Sequence, residues 1–133
     1  MIFEELNLNP RVLAGVKAAG YIKPPPIQEQ AIPVALKGRD VLGLAQTGTG
    51  KTAGFMLPIL QRLITGPLGP VRALIVAPTR ELAEQTHQAT VALGQHTRIT
   101  SVAVYGGVSK GPQAKALNRG AEIVVACPGR LLD

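Results

Sequence analysis

The sequence predicts an α/β fold in which a parallel sheet is covered by helices on both faces. Short apolar runs alternate with segments of helical periodicity over most of the chain. Near-continuous apolar strands are typical of a parallel sheet that is buried on both faces. A glycine-rich loop joins the first predicted strand to the helix after it, which is the arrangement of a phosphate-binding α/β domain.

The first two helices are predicted from helical spacing and from the residues that begin and end them. Residues 9–19 carry apolar side chains at helical spacing, with Asn9 as the cap and Gly20 just past the end. The prolines of residues 24–26 cannot lie inside a helix. The second helix is therefore predicted over residues 27–36.

Four buried strands and three more helices are predicted after these two helices. The strands are short apolar runs bounded by turn residues, and they cover residues 41–45, 73–77, 99–105 and 122–126. The helices between them cover residues 51–64, 79–93 and 110–118. Right-handed crossovers should place helices on both faces of the sheet, and ligands should bind at the carboxyl ends of the strands.

Composition narrows the class of protein. The 133 residues are 46% hydrophobic and 17% charged, which indicates a folded domain or part of one. The net charge of +6 suggests a polyanionic partner, although a solvated basic face would give the same charge. The single cysteine, Cys127, excludes an internal disulfide and cannot form a zinc site alone. The acidic N-terminus and the shortness of every apolar stretch predict a soluble, cytoplasmic protein.

Residues 45–52 form the predicted phosphate loop. Gly48 and Gly50 allow backbone angles that turn successive N–H groups toward phosphate oxygens. Lys51 adds a positive charge for the outer phosphates, and the Thr52 hydroxyl suits a magnesium ion that bridges them. The alternative, a chance glycine turn followed by a surface lysine, is disfavoured by the strand before the loop and the helix after it. The residues expected to contact nucleotide are Gln46, Thr47, Gly48, Thr49, Gly50, Lys51 and Thr52.

In this loop the chain resembles the DEAD-box RNA helicases, and four other stretches resemble that family in the same order. They are residues 20–28, which resemble its Q motif, and residues 78–82, 106–107 and 127–130. The resemblance implies a RecA-like P-loop NTPase core that uses ATP and Mg²⁺, with Lys51 and Thr52 as catalytic residues. It also implies that residues 1–133 are the N-terminal portion of the first of two RecA-like domains.

The stretch that resembles the Q motif is implied to hold adenine. Gln28 offers an acceptor and a donor that match the edge of adenine and would reject guanine. Tyr21 offers a ring for base stacking, which is worth about 1–3 kcal/mol in comparable sites. Lys23 belongs to the same implied set of contacts, and Phe3 matches an upstream aromatic that braces the segment. Two points stand against this: Gln28 has the alternative role of capping a helix start, and Pro25 replaces the family's usual Thr or Ser.

Three stretches resemble elements that contact the RNA backbone in the family. Thr79 at a predicted helix start, beside Arg80, suits a phosphate, although Arg80 has an alternative salt bridge to Glu84. The paired glycines would let a sugar–phosphate chain approach closely, or would form an ordinary turn. Cys127 stands where the family has threonine, so a hydroxyl for capping or phosphate binding is missing. The implied RNA contacts are Pro78, Thr79, Arg80, Gly106, Gly107, Pro128, Gly129 and Arg130.

The acids that hydrolysis requires are missing from the predicted site. The chain has only two aspartates, Asp40 and Asp133, and neither is placed to hold the magnesium ion. We therefore expect a truncated piece of a larger protein that binds adenine nucleotide without hydrolysing it. For the intact protein, the resemblance implies ATP-dependent unwinding of short RNA duplexes, through backbone contacts of low sequence specificity and with no membrane. A DNA helicase with a similar glutamine site and a non-catalytic binding module are the alternatives.

Overall fold

The structure, a computed structural model, describes residues 2–45 and 50–131, with the backbone alone at Leu131. The chain divides into two compact units. The first unit comprises Met1–Thr65 and Ala92–Thr97, and the second comprises Gly66–Val91 and Arg98–Asp133. The described part of the first unit is helical, and the described strands all lie in the second unit.

The first unit contains a 3-10 turn and three helices, which we number α1 to α3. The turn, Phe3–Leu6, was not predicted. The helices are Pro10–Ala18 (α1), Pro26–Leu36 (α2) and Lys51–Leu63 (α3), and their bounds agree with the predicted helices to within one residue at each end. Asn9 caps α1 as predicted, because its side chain accepts a hydrogen bond from the backbone N–H of Arg11 at 2.9 Å. The backbone N–H of Asn9 donates to Gln61 Oε1 at 2.6 Å, which ties the start of α1 to α3.

The core of the first unit is built from aliphatic side chains on the facing sides of these helices. The fully buried members are Val12, Val16, Ile32, Met56, Leu57 and Leu60. Gly15 of α1 lies directly against the backbone of Leu93, since a Cβ added at Gly15 would stand 1.9 Å from the Leu93 carbonyl oxygen. That contact leaves no room for any side chain, so glycine is required there for packing.

The prediction of a buried strand over residues 41–45 is wrong. These residues form no strand, and Leu42 and Leu44 are 85% and 83% exposed. An apolar run favours burial, but a strand also requires a neighbour that takes its backbone hydrogen bonds. Within the described ranges of the chain, no strand pairs with this segment.

The second unit contains a parallel sheet, as predicted. Its strands are Ala73–Val76 (β1), Ser101–Val104 (β2) and Ile123–Ala126 (β3), in the order β1-β3-β2. Each strand leads into a helix; these are Arg80–Leu93 (α4), Lys110–Asn118 (α5) and Pro128–Leu131 (α6). The central strand, β3, has every residue buried, which accounts for its unbroken run of apolar side chains.

The buried carboxylate of Glu122 fixes the amino end of this sheet. Glu122 immediately precedes β3 and is 2% exposed. Its side chain accepts hydrogen bonds from the backbone N–H groups of Gly69 at 2.6 Å and of Thr100 at 2.7 Å. Burial acts to raise the pKa of Glu122, but the hydrogen bonds from Thr100 and Gly69 outweigh it and leave that pKa below its usual range. The carboxylate therefore holds together the segments that lead into all three strands.

Candidate functional site

The first candidate site lies in the first unit and joins the start of α2 to the end of the predicted phosphate loop. Gln28 lies in the first turn of α2 and is 1% exposed. Its Nε2 donates to the backbone oxygen of Gly50 at 3.0 Å. Its Oε1 is buried and has no hydrogen-bond partner among residues 2–45 and 50–131. An orphaned buried acceptor of this kind indicates a site that takes a donor from a ligand.

Gly50 is required in this arrangement for two separate reasons. Its φ of 88° lies in the left-handed region, where other residues are strained. A Cβ added at Gly50 would also stand 2.7 Å from Gln28 Nε2 and 2.8 Å from Pro25 Cγ. The backbone of the loop thus meets the glutamine and the proline without an intervening side chain.

The helix that follows the loop supplies a positive end and a lysine. α3 has 13 residues and begins at Lys51, so its first N–H groups lie beside Gly50. The Lys51 Nζ donates to the backbone oxygen of Ala45 at 2.6 Å, and Thr52 stands in the first turn of α3, partly exposed. The remaining predicted contacts of this loop, Gln46, Thr47, Gly48 and Thr49, lie outside the described residues, and their role stays a prediction.

The two aromatic residues predicted beside Gln28, Phe3 and Tyr21, lie close to each other. The rings of Phe3 and Tyr21 lie 6.2 Å apart between centroids, inclined at 39°. Phe3 is 1% exposed and Tyr21 is 38% exposed, so a buried ring braces one that remains accessible. Lys23 is exposed on the same stretch.

An open cavity of about 340 Å³ lies next to Gln28 in the chain. Its lining comes from the start of α2 and from the segment that leads into the phosphate loop: Pro25, Pro26, Ile27, Gln30, Leu44 and Ala45. The walls are mostly apolar, which suits a flat heterocycle better than a charged group.

A second candidate site lies in the second unit, at the carboxyl ends of the three strands. Val76, Val104 and Ala126 are aligned in the parallel register, so the segments after them start at one edge of the sheet. The structure therefore brings together the three stretches that were predicted to contact RNA. Pro78, Thr79, Arg80, Gly106, Gly107, Pro128 and Gly129 are exposed there, and Arg130 is half-buried.

Thr79 directly precedes α4, so it lies at the helix start as predicted. Its Oγ1 accepts from the backbone N–H of Leu82 at 3.2 Å, and its carbonyl oxygen accepts from the N–H of Ala83 at 3.0 Å. The hydroxyl therefore caps the helix, which leaves the exposed first turn of α4 to face a ligand.

The predicted alternative for Arg80, a salt bridge to Glu84, is not present in the described part of the chain. The Arg80 Cζ instead lies over the Tyr105 ring, 4.9 Å from its centroid. The Tyr105 hydroxyl donates to Glu84 Oε2 at 2.9 Å. This hydrogen bond, with burial and the charge of Glu84, raises the pKa of Tyr105, while Arg80 acts in the opposite direction.

The loop after β2 lies between two arginines. Gly107 has a φ of 83°, and a Cβ added there would stand 3.7 Å from Arg80 Nη1. On the other side, Arg130 Nη2 donates to the backbone oxygen of Val108 at 3.1 Å. Space around Gly106 is open, since a Cβ there would meet no atom within 4 Å. The loop presents bare backbone between two guanidinium groups, which suits a chain of phosphates.

Cys127 marks the end of β3. Its thiol is free and partly buried, and its backbone N–H donates to the Val104 oxygen at 2.9 Å. The backbone hydrogen bond does not depend on the side chain, so the replacement of threonine by cysteine leaves this turn in place.

Tyr105 and Gln113 were not singled out from the sequence, and Glu84 was named only as an alternative partner of Arg80. The Tyr105 hydroxyl donates to Glu84, and Gln113 of α5 donates from Nε2 to the Tyr105 backbone oxygen at 3.1 Å. A usable signal was the scarcity of aromatic residues, because Tyr105 is one of only two tyrosines and directly precedes the glycine pair.

The described strands and helices form an α/β fold. Gln28 contacts Gly50 at the end of the predicted phosphate loop, and the parallel sheet carries Arg80 and Arg130 at its carboxyl edge. The chain belongs to the DEAD/DEAH box helicase family, whose sequence model matches residues 25–133. This finding confirms the resemblance seen in the sequence.

Curated relatives agree with this family. The chain is 51% identical to the DEAD-box ATP-dependent RNA helicase CshA of Streptococcus pneumoniae, over 100% of this chain and 25% of that protein. It is 48% identical to RhpA of Helicobacter pylori and 45% identical to DEAD-box ATP-dependent RNA helicase 20 of Arabidopsis thaliana; each covers 98% of this chain, and 26% and 27% of the relative. The chain thus spans about a quarter of the length of these relatives. None of the helices in the described ranges is long and apolar enough to cross a membrane.

Proposed function

We propose that this chain is the nucleotide-binding front part of an ATP-dependent RNA helicase. Residues 1–133 would form the N-terminal portion of its first RecA-like domain, and a second such domain would complete the enzyme. The observation that carries the proposal is the hydrogen bond from Gln28 to Gly50, which joins a base-reading side chain to the phosphate loop. The names of the relatives, which are ATP-dependent RNA helicases, support the same activity.

The residues around Gln28 fit an adenine base. The buried Gln28 Oε1 is an acceptor for the exocyclic amino group of adenine. Its Nε2 uses one hydrogen for Gly50 and retains a second for a ring nitrogen. Guanine presents an oxygen where adenine presents the amino group, so it would oppose Gln28 Oε1. Tyr21 offers an accessible ring for stacking, held from behind by Phe3.

The start of α3 fits the phosphates. When bound, ATP supplies the phosphoanhydride bond whose hydrolysis drives the cycle, and Mg²⁺ neutralises the phosphates. Lys51 would move its Nζ from the Ala45 oxygen to the outer phosphates, which lie within reach of the same flexible side chain. Thr52 would hold the magnesium ion through its hydroxyl, and residues 46–49 would contribute backbone N–H groups.

The carboxyl edge of the sheet fits an RNA backbone. Arg80 and Arg130 flank the bare backbone of residues 106–108, so a phosphate can meet guanidinium and peptide N–H groups together. Such contacts read no base edges, so we expect low sequence specificity and strong salt dependence.

The chain alone is proposed to bind adenine nucleotide without hydrolysing it. Hydrolysis by this class of enzyme needs an acidic side chain that helps to bind the magnesium ion. The sequence has two aspartates, Asp40 and Asp133, and Asp40 is exposed. A cytoplasmic location stays a prediction from the sequence.

The test of the proposed function is the response of the full-length protein's ATPase to nucleic acid. We expect single-stranded RNA to raise the rate and single-stranded DNA of the same sequence to leave it near its basal value. An equal response to DNA would favour the DNA helicase alternative. Absence of any ATPase in the full-length protein would favour a binding module. Lys51→Ala is the matched control, because it should abolish any rate that belongs to this site.

A further inference from the structure

We propose that Tyr105 is a positioning residue for RNA binding: it holds the Arg80 guanidinium over its ring and keeps Glu84 from pairing with that arginine. The inference rests on the proposed function, in which Arg80 binds the RNA backbone. It goes beyond that function because it assigns a role to Tyr105 and Glu84, which no resemblance to the family supplied.

The first step concerns Glu84, which could compete with a phosphate for the Arg80 guanidinium on α4. Arg80 and Glu84 are four residues apart on one helix, the spacing at which opposite charges pair. A carboxylate on the guanidinium would occupy the same N–H groups that a phosphate needs. In the structure Glu84 Oε2 accepts from the Tyr105 hydroxyl at 2.9 Å instead. The phenol therefore gives the carboxylate another partner and leaves the arginine to its ligand.

The second step concerns the Tyr105 ring, over which the Arg80 guanidinium lies. An exposed arginine samples many rotamers, and binding must stop that motion. The Tyr105 ring lies 4.9 Å beneath the Arg80 Cζ, where the ring face attracts the cation. A guanidinium that rests on a ring face still has N–H groups at its edges with which it can bind a phosphate.

The third step is the rigidity of the ring itself. Tyr105 is held at its hydroxyl by Glu84 of α4 and at its backbone oxygen by Gln113 of α5, at 2.9 and 3.1 Å. It directly precedes the glycine pair, and Arg80 Nη1 lies 3.7 Å from the Cβ position of Gly107. The ring thus sets the position of the guanidinium relative to the bare backbone of the loop.

The experiment measures the affinity of the full-length protein for a fluorescent single-stranded oligouridine RNA in the presence of ATP. Tyr105→Phe keeps the ring but frees Glu84 to pair with Arg80, so we expect RNA affinity to fall about two- to fivefold, the size of an exposed ion pair. Adding Glu84→Gln to Tyr105→Phe removes the competing charge and should restore the affinity. A merely structural Tyr105–Glu84 contact would give no such rescue, because each change would only add to the loss.

Controls separate this inference from the function on which it rests. Arg80→Ala tests the RNA role of the arginine; an unchanged affinity there would overturn that role and the inference with it. If Arg80→Ala weakens RNA binding while Tyr105→Phe does not, or if Glu84→Gln fails to rescue, only the inference is overturned. Glu5→Gln, at an exposed glutamate, is the charge-matched control, and ADP affinity of each variant verifies that it is folded.

Discussion

Gln28 donates to the backbone oxygen of Gly50 at 3.0 Å, so the first turn of α2 is bonded to the residue at which the phosphate loop meets α3. A change at Gln28 therefore acts directly on the backbone of Gly50. Under the proposed function, the base and the phosphates of a nucleotide would not be recognised independently.

The first prediction concerns base selection. Gln28→Met keeps a side chain of similar volume but removes the donor and the buried acceptor. We expect the ratio of ADP affinity to GDP affinity to fall by about tenfold or more, because a paired donor and acceptor discriminate bases by about 1–3 kcal/mol. Calorimetric titration with both nucleotides measures it, with Gln88→Met at an exposed helical glutamine as control. An unchanged ratio would remove Gln28 from adenine recognition.

The second prediction concerns Gly50. In Gly50→Ala the backbone must keep a left-handed conformation, which is strained for alanine. The new Cβ would lie 2.7 Å from the Gln28 amide nitrogen and would displace that side chain. The backbone strain alone should lower the free energy of unfolding by about 1–2 kcal/mol. ADP affinity should fall in the same variant, since Gln28 loses its position. Denaturant unfolding measures the first effect; Gly106→Ala, where the space is open, should show neither effect.

The third prediction concerns Glu122 and acid stability. Glu122→Gln replaces a carboxylate that accepts from two backbone N–H groups, so we expect a loss of about 1–3 kcal/mol of unfolding free energy at neutral pH. Because the folded-state pKa of Glu122 is lowered, its contribution is present above the unfolded-state pKa and is lost as pH falls through the folded value. The two proteins should therefore converge in acid.

Urea titrations of both proteins at neutral and acid pH measure this difference. Glu5→Gln, at an exposed carboxylate, should stay close to the unchanged protein at every pH. A gap between Glu122→Gln and the unchanged protein that persists undiminished in acid would show that the charge of Glu122 is not what stabilises the sheet.

The fourth prediction concerns the ionisation of Tyr105. The hydrogen bond to Glu84 raises the pKa of Tyr105, so Glu84→Gln should lower that pKa, and Arg80→Gln should raise it further. The neutral Tyr105 side chain stabilises the folded protein fully when pH is below the pKa of tyrosine in the unfolded chain. This stabilisation is lost as pH rises through the raised pKa of Tyr105 in the folded protein. Tyrosinate absorbance against pH measures both shifts in a Tyr21→Phe background, where Tyr105 is the remaining tyrosine. Shifts of opposite sign would contradict the observed hydrogen bond.

Local signals predicted the helices well. The bounds of α1 follow from Asn9 and the proline after it, and α3 begins at Lys51 just past a glycine, as the loop pattern requires. Capping and turn residues act over a few positions, so the sequence near each helix end contains the necessary information. The carboxyl-edge stretches were likewise predicted correctly as neighbours, because parallel strands end on one side of a sheet.

Contacts between distant residues were not predictable in the same way. Tyr105 meets Glu84 across 21 positions, and Gly69 meets Glu122 across 53. No periodicity or spacing within one segment encodes such pairs. Residues 41–45 show the converse, since an apolar run alone predicts burial but does not supply a pairing partner. The sequence pattern predicted that the strands run parallel, but it did not predict which strands are neighbours in the sheet.

The order β1-β3-β2 places the strand that is last in the chain at the middle of the sheet. Neither β1 nor β2 pairs with the other, and both take their ladder hydrogen bonds from β3. During synthesis on the ribosome, the pairing of β1 and β2 with β3 therefore has to follow the synthesis of Ile123–Ala126. Apolar strands that are not yet paired with β3 are prone to aggregate, and the carboxyl edge of the described sheet forms only after this pairing.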